Sequence, residues 1–494
     1  MIALYTNQQV RQIEQMAISN EDFSEYPLME AAGLAAFKLV KQQWSEAKHL
    51  IVCAGKGNNA GDGYIVARLA KEAGLKVTVV SAFDPKQLKG AALQAYHACS
   101  ESNVELVRFS DAVDLTADVL VDALLGSGLK GVVEEPLAAF IRRINEQSCP
   151  VIALDIPSGL NADSGCIEGV AVEAQFTLSF IGLKRGFFTK QGPGVCGKTS
   201  NDDLGLPSNL FEAVGSSYDL LDWDYVKPLL PKRRCDTHKG DYGHVLVIGG
   251  DYGMGGAVRM AAEAALRVGA GLVTVATRPE HVSIVSGNRP ELMCHQVAEA
   301  DELAPLLAAA TVVVIGPGLG QSSWAKGLLK EVLKSDIPKL LDADALNILN
   351  EMDAHDDQWI LTPHPGEAAR LLDIGCQNIQ QDRFKTIKSM QDHYGGVIAL
   401  KGAGTLIQGE DSRTYVCRAG NPGMASGGMG DILSGIIGGL LAQRLSLLEA
   451  TKVGVFIHAS AADRAAQEGG ERGLLATDVL SHLRHFVNPN RLLM

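Results

Sequence analysis

Short apolar runs that each close on a glycine-bearing loop recur along the whole chain, and they constrain its fold more than any other feature. His49–Ala54 runs into Gly55, Val119–Leu125 into Gly126, Val312–Ile315 into Gly316, and Val397–Leu400 into Lys401 and Gly402. A strand that is apolar at nearly every position must be covered on both faces, which predicts parallel sheets flanked by helices. Helices are expected over 8–44, from about Gly63 to Ala73, and over the apolar segment Ile432–Leu441. Further strands are expected at Lys76–Ser81, Val151–Asp155 and Phe176–Phe180, then at Gly243–Ile248, Gly271–Ala276, Leu340–Asp342 and Trp359–Thr362.

With 494 residues, 46% of them hydrophobic, the chain can build two large α/β domains. The texture breaks where Ser200–Ser217 and Pro228–Gly240 gather polar residues, glycines and prolines, so a boundary is expected between 205 and 230. No internal repeat aligns the two halves. The net charge of −13 argues against nucleic acid or an anionic membrane as partner. The N-terminal segment lacks signal-peptide texture, and no apolar run reaches the roughly 18 residues of a membrane span. The 9 cysteines are scattered without a CxxC pair, which argues against a disulfide framework or structural zinc. A cytoplasmic enzyme is the expectation.

In the first half, Gly55-Lys56-Gly57-Asn58-Asn59-Ala60-Gly61-Asp62-Gly63 lies between a strand and a helix. Its glycines allow close backbone approach and the helix start offers free N–H groups, so the segment suits a phosphate or dinucleotide better than a plain turn. Gly126-Ser127-Gly128-Leu129-Lys130-Gly131 satisfies GxGxxG, yet Val132-Val133-Glu134-Glu135-Pro136 is a poor helix start for a dinucleotide fingerprint. Leu154-Asp155-Ile156-Pro157-Ser158-Gly159 closes another strand. Asp62, Asp122 and Asp155 thus stand at the loop ends of one expected sheet, where a polar, cation-receptive site can form. Gly192-Pro193-Gly194-Val195-Cys196-Gly197-Lys198-Thr199 matches the P-loop expression but lacks the strand before and the helix after, and is rejected.

In the second half, Asn421-Pro422-Gly423-Met424-Ala425-Ser426-Gly427-Gly428-Met429-Gly430-Asp431 leads straight into the apolar helix. Small residues let backbone N–H groups surround a phosphate, and the helix dipole adds to them. Asp431 either caps that helix or takes a proton from a hydroxyl that attacks a phosphoryl group; the full run favours the base. Lys401-Gly402-Ala403-Gly404-Thr405 suits a nucleotide loop, while Gly316-Pro317-Gly318-Leu319-Gly320 and Thr362-Pro363-His364-Pro365-Gly366-Glu367 make further turns at strand ends. Two other readings fit these residues: a kinase of a vitamin or sugar hydroxyl, and a first half that binds nucleotide without catalysis.

Together the motifs give the chain a resemblance to the bifunctional NAD(P)H-hydrate repair enzymes. GKGNNAGDG (55–63), GSGLKGV (126–132) and LDIPSGL (154–160) resemble the epimerase half; GPGLG (316–320), TPHPGE (362–367), KGAGT (401–405) and NPGMASGGMGD (421–431) resemble the ADP-dependent dehydratase half. Ala60 stands where the family usually has glycine. The resemblance implies an α/β chain of two domains: a Rossmann-like parallel-sheet sandwich over 1–215 and a ribokinase-like α/β domain over 225–494.

By the same resemblance the substrates are hydrated NADH and NADPH, with water added across the nicotinamide ring and a hydroxyl at C6, and ADP. The first domain would interconvert the R and S hydrates. Asn58, Asn59, Ala60, Gly61 and Asp62, with Gly126, Ser127, Gly128, Leu129, Lys130, Gly131 and Val132, would hold the hydrate, and Asp155 would contact its ring as acid–base. Asn59, Asp122 and Ser158 would bind a potassium ion. The second domain would dehydrate the S form, with Gly318, His364, Pro365, Gly366, Glu367, Ala368, Ala369, Arg370 and the catalytic Asp431 facing the hydrate. ADP would lie on Lys401, Gly402, Ala403, Gly404 and Thr405, and on Asn421, Pro422, Gly423, Met424, Ala425, Ser426, Gly427, Gly428, Met429 and Gly430. Mg²⁺ is expected with the nucleotide, and a homo-oligomer as the assembled state.

Overall fold

The computed structural model describes residues 1–19, 23–287, 289–352 and 354–489. The chain divides into two compact units, Ala3–Tyr218 and Asp219–Met494, the latter joined by Met1–Ile2.

The unit Ala3–Tyr218 is built on a seven-stranded sheet ordered Glu105–Arg108, Lys76–Ser81, His49–Ala54, Val119–Ala123, Val151–Leu154, Phe176–Phe180, Lys198–Asp202, every pair parallel. The chain steps outward from His49–Ala54 in one direction and then restarts beside it at Val119–Ala123, so the loops after these two strands diverge and leave a crevice. Gly55 makes that junction possible: a Cβ there would lie 1.9 Å from the Leu124 carbonyl oxygen. Burial of Leu50, Val52, Val119, Val121 and Ile152 on one face and of Ile51, Cys53, Leu120 and Phe140 on the other supplies the double-sided core that the apolar strands require.

One helix starts earlier than its sequence suggests. It spans Asn58–Glu72, so Asn58–Gly63 forms its first turns rather than a loop. Two of its glycines serve packing. A Cβ on Gly61 would lie 2.3 Å from the Met29 sulfur, and one on Gly63 would lie 2.6 Å from the Ala123 Cβ. Close packing on both sides overrides the low helix propensity of glycine. The rejected P-loop segment forms a four-residue helix, Gly192–Val195, followed by the strand Lys198–Asp202, which is the wrong order for a phosphate cradle.

In the second unit, seven strands run parallel: Met293–Gln296, Leu272–Thr277, His244–Ile248, Val312–Ile315, Lys339–Leu341, Trp359–Leu361 and Val397–Leu400. Thr405–Gln408 and Thr414–Cys417 extend one edge antiparallel. The helix Met429–Ala442 is buried along almost its whole length. Its glycines let it touch backbone: a Cβ on Gly435 would lie 1.9 Å from the Ala261 carbonyl oxygen in the helix Gly255–Val268, and one on Gly438 would lie 2.4 Å from Val314 in the sheet. Among the described residues no helix is long and apolar enough to cross a membrane.

Candidate functional sites

In the first unit the loops at the strand restart enclose a cavity of about 820 Å³. Asn58, Asn59 and Asp62 line it from the helix start, Gly126, Ser127, Gly128, Leu129, Lys130 and Val132 from the next loop, and Asp155 from the end of Val151–Leu154. Ala60 and Gly61 do not line it. They face the helix packing, where the Ala60 methyl is fully buried in the core. Gly131 also stands outside the cavity wall, with φ +73° in the turn.

Asp155 is held in the left-handed region at φ +65°, an uncommon conformation for a residue with a side chain, which the surrounding contacts fix. Its N–H donates to the Leu178 carbonyl at 2.8 Å. One carboxylate oxygen receives the Lys184 ammonium, and the other receives the Ser127 N–H at 3.3 Å. Lys184 is fully buried, and its ammonium also donates to the Ser179 hydroxyl (2.8 Å) and the Phe180 carbonyl (3.0 Å). Sequence reasoning missed Lys184; the usable signal was the basic pair Lys184-Arg185 shortly after the apolar strand Phe176–Phe180.

Around this pair the carboxyl groups sit in unequal surroundings. Burial, with Asp155 and Glu14 nearby, holds the Asp62 carboxyl well above the usual range. Glu14, on the helix Asn7–Ser19, is also raised, first by burial and then by Asp155 and Glu25. Burial raises Asp122 to about 6, opposed by bonds from Ser158 and Leu124. The Asp122 carboxylate accepts the Ser158 hydroxyl at 2.6 Å and its N–H at 2.8 Å. Asn59 is 7% exposed, and neither side-chain amide atom has a hydrogen-bond partner among the described residues. Such a buried, unsatisfied amide is costly and marks a place made for a ligand or ion.

In the second unit the sites meet at the carboxyl ends of Lys339–Leu341, Trp359–Leu361 and Val397–Leu400. Gly428, at φ +89°, turns the glycine run into the helix Met429–Ala442 and places Asp431 in the first turn. The Lys401 ammonium, after the strand Val397–Leu400, lies 2.7 Å from one Asp342 oxygen and 3.8 Å from Glu367. The Ser434 hydroxyl donates to the other Asp342 oxygen at 2.8 Å. Burial raises Asp431 to about 7, with Asp342 and Asp344 adding to the rise and Lys401 opposing it. Burial also acts to raise Asp342, but Lys401 and the bonds from Ser434 and Thr362 outweigh it and hold the carboxyl below its ordinary value.

His364 caps the helix Pro365–Leu371: its Nδ1 accepts from Gly366 (3.0 Å) and Glu367 (3.3 Å), while the Glu367 carboxylate accepts the His364 N–H at 2.7 Å. Burial, then the charges of Lys401 and Arg370, lower the His364 pKa. Arg370 donates to Asn347 at 2.9 Å, and Ala368 and Ala369 are buried in the helix. Gly318 takes φ +58° against Met254, where its carbonyl accepts the Asp251 N–H at 2.7 Å. The segment from Asn421 to Ser426 is tied elsewhere: the Asn421 amide donates to Asp463 at 2.9 Å, and Ser426 to the Leu474 carbonyl at 3.2 Å. The loop after Lys401 is fixed from below by Arg383, 2% exposed, whose guanidinium donates to the carbonyls of Leu400, Lys401 and Ala403. Asp342, Ser434 and Arg383 were all missed from sequence, although Asp342 directly follows a strand just as Asp155 does.

These features describe a Rossmann-like unit joined in one chain to an α/β unit of the ribokinase-like kind. The family model for NAD(P)H-hydrate dehydratase matches residues 245–485, and that for the YjeF-related protein N-terminus matches 25–186. A bifunctional NAD(P)H-hydrate repair enzyme, Nnr, from Coxiella burnetii is 62% identical over 489 residues, covering 99% of this chain and 100% of that protein. The Escherichia coli protein of the same name is 43% identical, covering 97% and 93%. Among solved structures, a ribokinase-like superfamily protein from Enterococcus faecalis is 30% identical with a TM-score of 0.52, over 55% of this chain and 96% of its own. An ADP/ATP-dependent NAD(P)H-hydrate dehydratase from Bacillus subtilis, co-crystallized with ATP and Mg²⁺, is 28% identical with a TM-score of 0.50, over 55% and 98%. The chain belongs to the family of bifunctional NAD(P)H-hydrate repair enzymes.

Proposed function

We propose that the unit Ala3–Tyr218 interconverts the R and S hydrates of NADH and NADPH, and that the second unit dehydrates the S form with ADP, yielding AMP and phosphate. The observation that supports this best is that each unit presents a carboxylate, Asp155 or Asp431, at the carboxyl ends of its strands beside glycine-rich turns. In the first unit, the cavity-lining residues from Asn58 to Asp62 and from Gly126 to Val132 bind the hydrate, with Ala60, Gly61 and Gly131 shaping the backbone. Asp155 exchanges a proton with the hydrated ring.

Asn59 offers a buried carbonyl oxygen without a partner among the described residues, which supports a potassium ion at the cavity, while Asp122 and Ser158 are fully buried outside the cavity lining and bonded to each other. Asn59, Asp122 and Ser158 would hold the ion, which supplies positive charge beside the bound coenzyme.

In the second unit, Lys401–Thr405 and Asn421–Gly430 bind ADP, while Gly318, His364–Arg370 and Asp431 face the hydrate. Asp431 removes the proton of the C6 hydroxyl as its oxygen attacks the β-phosphorus of ADP, and AMP leaves. The ring nitrogen's lone pair then expels phosphate from C6, and loss of a C5 proton restores the dihydronicotinamide. Mg²⁺ bound through the phosphates of the nucleotide would neutralise their charge; the described residues contain no cluster of three His, Cys, Asp or Glu that could hold a metal by itself. A homo-oligomer in the cytoplasm completes the reading. The purified chain given the S hydrate and ADP is expected to release AMP and inorganic phosphate as the dihydronicotinamide absorbance recovers. A stable phosphorylated hydrate would point instead to a kinase.

A further inference from the structure

We infer that Asp342, clamped between the Lys401 ammonium and the Ser434 hydroxyl, is the positioning residue that makes Asp431 a competent base in the dehydratase site. The inference rests on the reading of Asp431 as the proton acceptor and extends it to a residue that must not touch the substrate itself.

Asp342 is 1% exposed, and both of its oxygens are occupied, one by Lys401 at 2.7 Å and the other by Ser434 at 2.8 Å. Ser434 lies three residues beyond Asp431, so the two side chains leave the same helix close to one face. Asp342 is thereby tied to the helix that carries the base. The Lys401 bond ties it to the loop that begins the nucleotide segment. A Cβ built on Gly430, the residue just before Asp431, would lie 3.3 Å from the Lys401 nitrogen and 3.5 Å from an Asp342 oxygen. The clamp therefore sits directly beneath the start of the helix and fixes Asp431 relative to the strand ends.

The charges acting on Asp431 come from three elements: Asp342 follows the strand Lys339–Leu341, Asp344 starts the helix Asp344–Leu349, and Lys401 follows Val397–Leu400. Glu367 and His364, at the helix Pro365–Leu371, face Lys401 and Asp342 instead. Asp342 and Asp344 make proton binding by Asp431 more favourable, and Lys401 makes it less so. Asp342 keeps its own negative charge because Lys401 is bonded to it, so its field on Asp431 is permanent. A carboxylate in water is too weak a base for an alcohol that is only starting to lose its proton. One held between burial and a fixed negative neighbour is matched to that task near neutral pH. In the step itself the C6 oxygen forms its bond to the β-phosphorus, the bond from that phosphorus to the AMP oxygen breaks, and the hydroxyl proton goes to Asp431; Asp342 exchanges no proton.

The test is the pH profile of dehydration by the full chain with S hydrate, ADP and Mg²⁺. In the unaltered protein the acidic limb of kcat/KM, which reports the free enzyme, is expected near pH 7. Asp342→Asn removes a negative neighbour, so the limb is expected to move down by about one pH unit and the plateau kcat to fall about tenfold or more. Lys401→Met removes a positive neighbour, so its limb is expected to move up. Opposite shifts in the two variants cannot come from general loosening of the fold; should Asp342→Asn not accumulate, Ser434→Ala, which removes one of the two bonds that hold Asp342, is expected to lower the plateau kcat, and a parent-like kcat in it would overturn the inference. Limbs that stay in place, or move the same way, would overturn the inference. Asp431→Asn separates the role of the base from that of Asp342. If it dehydrates normally, the reading of Asp431 as base fails; if it is inactive while the Asp342 and Lys401 variants keep the parent profile and kcat, only the role of Asp342 fails.

Discussion

The Lys184 ammonium has no exposed surface and is shared between the Asp155 carboxylate, the Ser179 hydroxyl and the Phe180 carbonyl, so all three of its protons are placed. Lys184→Met leaves Asp155 largely enclosed without its cation. Loss of one partner of such a pair is expected to cost about 3 kcal/mol and to abolish epimerisation. Chemical denaturation checks the first effect, and chromatography of the two isomers the second. Dehydration of purified S hydrate by the same variant is expected to persist, because the residues assigned to it lie in the other compact unit.

Asp431 carries an ionisation cost in the folded chain. Its pKa is raised to about 7 by burial first and then by Asp342, against an ordinary value of 3.8. A carboxyl that binds its proton more tightly when folded loses stability as pH rises from the unfolded to the folded pKa. Asp431→Asn is therefore expected to raise stability by about 1–3 kcal/mol above pH 7, with the gain vanishing near pH 4, while dehydration is lost. Denaturant midpoints of the parent and the variant at pH 4, 6 and 8 check it.

Asn59 provides a readout for the ion. Epimerisation by the parent chain is expected to rise with potassium at constant ionic strength, and Asn59→Ala to lose that response. Initial rates in potassium and in tetramethylammonium salts measure this directly.

Gly435 meets the Ala261 carbonyl where a Cβ would approach to 1.9 Å. Gly435→Ala is expected to destabilise the second unit by about 3 kcal/mol, near the upper end for an overpacked core, because two helix backbones must separate. Thermal unfolding monitored through the dehydratase activity checks it.

The strands were legible because parallel strands covered on both faces must be apolar throughout, and Lys76–Ser81, Phe176–Phe180, Val312–Ile315 and Val397–Leu400 have the bounds the sequence suggests. The start of the helix Asn58–Glu72 was not, because glycines that serve helix packing read locally as loop. Asp155 could be read from its strand-end position beside Pro157 and Gly159. Its partner Lys184 comes from another strand end, and only the parallel pairing of Val151–Leu154 with Phe176–Phe180 brings them together. Asp342 escaped for the same reason: its significance lies in Lys401 and Ser434, 59 and 92 residues away in the chain. Pairing across a sheet is a tertiary fact, and no local pattern encodes it.

The proposed assignment of one carboxylate to each reaction is tested most directly by a mixture of R and S hydrates with ADP and Mg²⁺, followed isomer by isomer. The parent chain is expected to consume both isomers. Asp155→Asn should consume the S isomer quickly and leave the R isomer to decline only at its uncatalysed rate. Asp431→Asn should equilibrate the isomers and consume neither. If Asp155→Asn removes R as fast as the parent, or Asp431→Asn still releases AMP and phosphate, the division of labour between these two residues is contradicted.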